Sequence, residues 1–234
     1  MEPSPATHRW PVELRAGAVV LRPLRRGDAR RWREVRERNR GWTGPWDATV
    51  PPTSERGAPS FGQMVRALSA QAREGSSLPF ALCWDEQLAS GGKPTAPRRL
   101  PVSGQVTVSG ITYGSARFAH CGYWIDEALA GRGIMPVAVA LAVDHCFTAM
   151  RLHRVEINIR PENTPSLRVV EKLGLREEGY KPRYLHIDGD WRDHRCFAVD
   201  TDELRDADGR PVTLLSRLLD GAPAPGEPGW SRAK

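Results

Sequence analysis

The 234-residue chain is short of several things, and each shortage removes a class of protein. Its four cysteines, Cys83, Cys121, Cys146 and Cys196, are dispersed, and none stands in a C-x-x-C pair, so the ligand spacing of a zinc site is missing and no metal is expected. Each lies in an apolar stretch and reads as a buried free thiol. No apolar run nears the roughly 20 residues that cross a bilayer, so no membrane partner is expected. The opening Met1-Glu2-Pro3-Ser4-Pro5 lacks a charged segment followed by an apolar one, and a cytoplasmic location is expected by default. No internal repeat occurs, and no basic strand interleaved with aromatics marks a nucleic-acid surface.

What remains is 40% hydrophobic and 26% charged, with a mean hydropathy of -0.48, enough for one well-buried domain with or without appendages. The formal net charge is +6, and much of the excess lies early, in Arg22, Arg25, Arg26, Arg30, Arg31, Arg33, Arg36, Arg38 and Arg40. Asp28 is placed to cap a helix here, with Trp32 and Val35 spaced for an inward face. Two readings of the arginines stay open: a solvated helix face, or an electrostatic handle for RNA or another polyanion.

Hydrophobic periodicity and turn residues predict strands over 18–23, 79–84, 102–112, 118–125, 154–159, 176–187 and 191–200. Helices are expected over 28–39, 61–73, 134–150 and 167–173, and 41–46 and 90–99 read as loops. Asp188-Gly189 is a hairpin signal between the last two strands. Residues 1–17 read as an irregular N-terminal segment, 18–200 as the domain, and 201–234 as a short amphipathic piece (212–219) with a flexible tail. The mixture suits an α/β (α+β) fold with a mostly antiparallel sheet of about seven strands flanked by helices.

The most informative stretch is Tyr123-Trp124-Ile125-Asp126-Glu127-Ala128-Leu129-Ala130-Gly131-Arg132-Gly133-Ile134-Met135-Pro136. A strand ends in a turn of small residues and a long Ala/Val helix follows at once. The first N–H groups of such a helix have no intrahelical partners, and with the positive end of the helix dipole they form an anion site. Gly131 and Gly133 allow close backbone approach, and Pro136 suits the first turn, where its missing N–H matters least.

This turn resembles the coenzyme A pyrophosphate loop of the GNAT superfamily of acyltransferases, Gln/Arg-x-x-Gly-x-Gly/Ala, with Gly133 matching and Ala130 and Met135 departing from the outer positions. Downstream, Arg154 to Ile159 followed by Pro161-Glu162-Asn163-Thr164-Pro165-Ser166 and Gly174-Leu175 resembles the superfamily's Asn-x-x-Ser segment. Gly179 to His194, with Val20-Leu21-Arg22-Pro23-Leu24 and Gly27-Asp28, is similar to the ribosomal-protein-alanine N-acetyltransferase branch. The resemblance covers residues 18 to 200. It implies the GNAT fold, in which strands four and five splay to admit the pantetheine arm, and it implies acetyl-CoA as co-substrate.

It also implies site residues. The backbone of Tyr123, Trp124 and Ile125 would grip the pantetheine and the acetyl carbonyl. Gly131, Arg132, Gly133, Ile134 and Met135 would hold the pyrophosphate, with Asn163 and Ser166 also at the cofactor. Many members protonate the leaving thiolate with a tyrosine seven residues after the asparagine, which is Val170 here. Ser166 matches the serine of the ribosomal branch, either as that acid or as a plain helix-start hydroxyl. His120 stands where many members of the branch have a glutamate, and is a candidate general base or a structural strand histidine. Trp42, Trp46, Tyr184 and Trp191 are candidates to line the acceptor groove or to pack in the core. The expected activity is acetyl transfer to a protein N-terminal α-amine, with lysine or small-molecule amines as other acceptors. The contrasting class is a catalytically weak coenzyme A-binding module associated with the ribosome or with nucleic acid. Ribosome association and a monomer or homodimer belong to the same expectation.

Overall fold

The computed structural model describes residues 10–51 and 59–221. Eight strands make one sheet in the order β1-β2-β3-β4-β5-β6-β8-β7. They are β1 (Leu14–Ala16), β2 (Val19–Pro23), β3 (Leu78–Trp84), β4 (Val102–Thr112), β5 (Phe118–Ile125), β6 (Arg154–Ile159), β7 (Arg176–Ile187) and β8 (Asp190–Asp200). Neighbours run antiparallel except β5 and β6, which are parallel. The helices are α1 (Ala29–Arg38), α2 (Arg40–Thr43), α3 (Phe61–Glu74), α4 (Glu86–Ala89), α5 (Ile134–Thr148), α6 (Thr164–Lys172) and α7 (Leu214–Asp220).

Alternation along the strands sorts residues onto two faces. Val19, Leu21, Phe80, Leu82, Val106, Cys121 and Val155 meet α5, while Val20, Ala81, Cys83 and Val102 meet Trp32 of α1 and Val65 of α3. The α5 sequence is apolar on nearly every side, as a helix buried beneath the sheet must be, and nine of its residues are buried. All four cysteines are buried and free. Burial pushes the thiols of Cys83 and Cys121 up to about 11 and about 12, so neither supplies a thiolate near neutral pH.

One expectation is corrected. Leu14–Ala16, inside the segment read as irregular, is a strand paired with β2, so the sheet has eight strands. Three residues are too few to show a period, and tertiary contacts hold them: Arg15 is ion-paired to the buried Asp85. Where the sequence suggests a short amphipathic piece over 212–219, the chain forms α7, packed against α5. The Asp144 carboxylate on α5 accepts from the first N–H groups of α7, Leu214 at 2.7 Å and Leu215 at 3.0 Å, and the buried Arg217 donates to the Leu173 carbonyl at 2.8 Å. Residues 1–9 and 222–234, which the sequence reading made Pro-broken segment and tail, lie outside the described residues.

Within 41–46, expected to be a loop, α2 runs into a short 3-10 turn, Gly44–Trp46. The helix expected over 167–173 begins earlier, at Thr164, because Pro165 occupies a first-turn position that tolerates it. No described helix is long and apolar enough to cross a membrane.

Candidate active site

The parallel pair β5–β6 holds only through Phe118↔Arg154, Ala119↔Val155 and His120↔Glu156; beyond that point β6 bonds only to β8 and β5 only to β4. The strands therefore part from Cys121 onward. Where they part lies a cleft of about 460 Å³. It is lined by Tyr123, Trp124 and Ile125 of β5, by Gly131, Gly133, Ile134 and Met135 of the following turn, and by Asn163 and Ser166 of α6. The fold thus brings together residues separated by 40 positions in the chain.

At the base of the cleft, Gly131 and Gly133 both have φ of 76°, the left-handed region that glycine enters without strain. Gly133 is the N-cap of α5 and, among the described residues, no side-chain hydrogen bond caps this helix, so the N–H groups of Ile134 and Met135 are available to an anion. Among the described residues nothing lies within 4 Å of a Cβ built on either glycine, which leaves a backbone-lined cradle. Upstream, the buried Asp126 carboxylate is ion-paired to Arg38 and accepts from Asn39 Nδ2 at 2.9 Å, while Asn39 Oδ1 accepts from Glu127 N–H at 2.8 Å. Burial alone would raise the Asp126 pKa. The hydrogen bonds from Arg38 and Asn39 outweigh it and hold the carboxyl below its ordinary range. The end of α1 therefore anchors the start of this turn.

Arg132 does not join its neighbours. Its guanidinium lies 5.0 Å from the Trp84 ring centroid and 3.8 Å from Glu86, and it does not line the cleft. The turn offers backbone to the cleft and sends this side chain elsewhere.

On α6 the capping question is resolved. Asn163 is the N-cap, its Oδ1 accepting from the Ser166 N–H at 3.2 Å, so the Ser166 hydroxyl is not the cap. Ser166 lines the cleft, and its carbonyl accepts from the Tyr123 hydroxyl at 3.3 Å. Burial pushes the Tyr123 phenol far above its ordinary value, so it stays protonated. Val170, the position at which the resemblance leads to the expectation of a tyrosine, is buried. Arg168 and Lys172 also line the cleft. The sequence reading missed them, although a basic pair at i, i+4 just after Ser166 is the pattern that puts two cations on one helix face.

The opposite face of β5 carries His120, Gly122 and Trp124, across from Ser109, Thr107 and Gln105 of β4. Trp42, Thr43, Trp46 and Asp47 close the cleft on this side together with Gln105, Thr107, Gly122 and Trp124. The Trp42 indole N–H donates to the Ile125 carbonyl at 3.2 Å, and Arg160 lies 5.3 Å from the Trp46 ring while donating to the Pro45 carbonyl at 2.8 Å. Both tryptophans are thus held by polar anchors at the rim. Asp47 is ion-paired to Arg36.

His120 sits beside this region without lining the cleft. Its Nδ1 is 3.2 Å from Asn158 Nδ2 and 3.9 Å from Glu156 Oε2. Burial lowers its pKa, Glu156 works against that, and Lys181 adds to it, with a net result below the ordinary value. The imidazole is therefore neutral at neutral pH. Tyr184 and Trp191 are not in the cleft. Tyr184 packs edge-on to His194 at 5.8 Å, and Trp191 meets His186 edge-on at 5.6 Å with 45% of its surface exposed. The irregular register of β7 against β8 between Lys181 and Leu185 turns Tyr184 onto β8.

The early arginines are mostly matched to carboxylates. Arg22 pairs with Asp28, Arg25 with Glu13, Arg30 and Arg31 with Glu34, Arg36 with Asp47, Arg38 with Asp126 and Arg40 with Glu37. This matching favours the solvated-face reading of α1 over a free cationic surface.

Comparison with known proteins gives a consistent picture. Residues 18–176 match the family model described as the Acetyltransferase (GNAT) domain. The chain is 29% identical over 192 residues to the [ribosomal protein uS5]-alanine N-acetyltransferase of Escherichia coli, covering 81% of this chain and 91% of that one. It is 41% identical over 96 residues to the probable N-acetyltransferase YjcK of Bacillus subtilis, an alignment spanning 41% of this chain and about half (53%) of that protein. Among solved structures, RimJ of Mycobacterium smegmatis in complex with CoA-disulfide superposes with a TM-score of 0.74 at 36% identity, covering 91% of this chain and 95% of that one.

Proposed function

Since this chain belongs to the GNAT acetyltransferase family and is an acetyl-CoA-dependent N-acetyltransferase, we propose that its acceptor is the N-terminal α-amine of a protein, such as a ribosomal protein. The observation that carries the reading is the cleft at the parting of β5 and β6, bounded by free backbone N–H groups on the α5 side and by Trp42, Trp46, Thr107 and Trp124 on the other. The near full-length likeness to an alanine N-acetyltransferase supports the choice of acceptor.

The residues present fit the co-substrate. The glycine cradle and the free N–H groups of Ile134 and Met135 suit a pyrophosphate, and Arg168 and Lys172 add positive charge along the same cleft. Acetyl-CoA supplies an activated thioester. The chain's part is to hold it against the amine, since positioning alone removes much of the barrier. The backbone of β5 beyond the parting, at Tyr123 to Ile125, has N–H donors for the carbonyl oxygen as negative charge develops on it. His120, neutral at working pH, takes the proton of the acceptor ammonium through a water, because it lies beside the cleft and not in its lining. Ser166, on the cofactor side with its hydroxyl uncommitted to capping, gives its proton to the departing thiolate and regains one from the attacking nitrogen, which sheds it as the amide forms.

The test is incubation with acetyl-CoA and peptides that begin with Ala or Ser. One thiol should be released per acetyl group gained, with the group located on the first residue by tandem mass spectrometry. Thiol release with lysine or polyamine acceptors but none with free peptide N-termini overturns the assignment of the acceptor.

A further inference from the structure

Four glycines lie inside strands, and three have a reason within the protein. A Cβ at Gly104 would collide with the Trp124 carbonyl, Gly110 has φ of 61°, and Gly179 sits at a register shift of β7 against β8. Gly122 has none of these. It pairs regularly with Thr107, its φ is not positive, and no heavy atom among the described residues lies within 4 Å of a Cβ built on it. In the fifth strand of an eight-strand order it is nevertheless exposed, while Cys121 beside it is buried. Glycine weakens a strand interior, and where neither conformation nor packing demands it, close approach of a ligand is the remaining cause.

The direction of the gap identifies the ligand. Gly122 faces the side of β5 that carries His120 and Trp124, away from α5 and from the Tyr123–Ser166 contact where the cofactor enters. Around it, the Thr107 hydroxyl accepts from Gln105 Nε2 at 2.9 Å, and Asp47, the carboxylate in the cleft lining, is already ion-paired to Arg36. The residues that line the cleft on this side therefore offer the space over Gly122 no unmatched charge.

We propose that the space over Gly122 seats the substituent on the acceptor's amine-bearing carbon, and that the missing Cβ sets its size limit and favours a short, uncharged group. This rests on the proposed acetylation of an amine at this cleft. In a peptide the substituent is the side chain of the first residue. A Cβ at position 122 would occupy its place, whereas shortening Thr107 on the facing strand would enlarge it.

The experiment compares wild type with Gly122→Ala, Gly122→Val and Thr107→Ala on peptides identical except for a first residue of Gly, Ala, Val or Lys. A parallel series of primary amines is graded in size at the α-carbon. Coenzyme A affinity is measured by calorimetry and folding by thermal melting. Gly122→Ala should shift the kcat/KM ratio of Gly-first to Ala-first peptides at least tenfold toward Gly, and Gly122→Val should go further. Thr107→Ala should move the ratio the other way, and coenzyme A affinity should stay within about twofold. An unchanged ratio in all three folded variants overturns this assignment alone. Loss of coenzyme A affinity in the Gly122 variants overturns it too, and gives the space to the cofactor. Turnover of no amine by wild type overturns it together with the proposed acceptor.

Discussion

On one face of β5, Ala119 and Cys121 are packed against α5, and Tyr123 closes onto the Ser166 carbonyl. On the other face of the same eight residues, His120 is partly exposed, Gly122 opens into the cleft, and Trp124 lies under Arg36. The period of two that makes a strand also separates two chemistries by the thickness of one backbone. The packed face leads into a turn whose functional groups are main-chain N–H donors, so the requirements there are conformational: glycines with positive φ and an uncapped helix start. The open face works with side chains drawn from β4, β5, α2 and the residues just after it. There, each residue's identity matters more than its backbone.

Substitutions that act on one face and spare the other sharpen this contrast. The largest expected effect is at the open face. His120→Ala should lower kcat by roughly two to four orders of magnitude, as loss of a general base does, and leave coenzyme A affinity nearly unchanged. In wild type, rate at saturating acceptor should rise with pH through a limb below the ordinary histidine value of about 6.5, since burial disfavours the protonated ring, and the variant should lack that limb. Near-normal kcat in His120→Ala would return the residue to a structural role.

Gly133→Glu probes the packed face. It forces a side chain into left-handed backbone and puts a carboxylate against the helix dipole, and should weaken coenzyme A at least 100-fold, about 2.7 kcal/mol, in a folded protein. Unchanged affinity by calorimetry would place the pyrophosphate elsewhere.

Ser166→Ala should reduce kcat and kcat/KM together by about tenfold or more, with little change in Tm, because Asn163 keeps the cap. A donor with a more acidic thiol should partly rescue it. Equal losses with both donors would remove Ser166 from the proton path. The smallest effect is at that cap: Asn163→Ala should cost about 0.5–2 kcal/mol of stability, read as a lower Tm, with a smaller change in kcat than Ser166→Ala gives. A larger kcat loss than in Ser166→Ala would make Asn163 a direct contact of the reacting groups.

The two faces also differ in how far they could be read from the sequence. Seven strands were legible within a residue or so, because apolar alternation and turn residues mark them. β1 was not, since three residues have no measurable period. The turn before α5 was legible because Gly131, Gly133 and Pro136 carry their backbone geometry in their identity. On the open face, Trp42 and Trp46 were found as aromatics in a Gly/Pro-rich segment, whereas Asp47, Gln105 and Thr107 are ordinary residues until the sheet register sets them together. Tyr184 and Trp191 were candidates for the groove or for packing on side-chain type alone, and an irregular register on the edge strand sets Tyr184 against β8. The choice between a solvated face and a polyanion handle for the early arginines stayed open in the sequence because their carboxylate partners, Asp47 and Asp126 among them, are distant in sequence or on neighbouring turns.

The most direct test of the division between the two faces is a crystal structure with coenzyme A joined through its sulfur to the N-terminus of an Ala-first peptide. The pyrophosphate should lie against the N–H groups of Ile134 and Met135, the linker should pass between β5 and β6, and the first peptide residue should rest over Gly122. A peptide bound on the α5 face, or a pyrophosphate away from the 131–135 turn, would contradict the account.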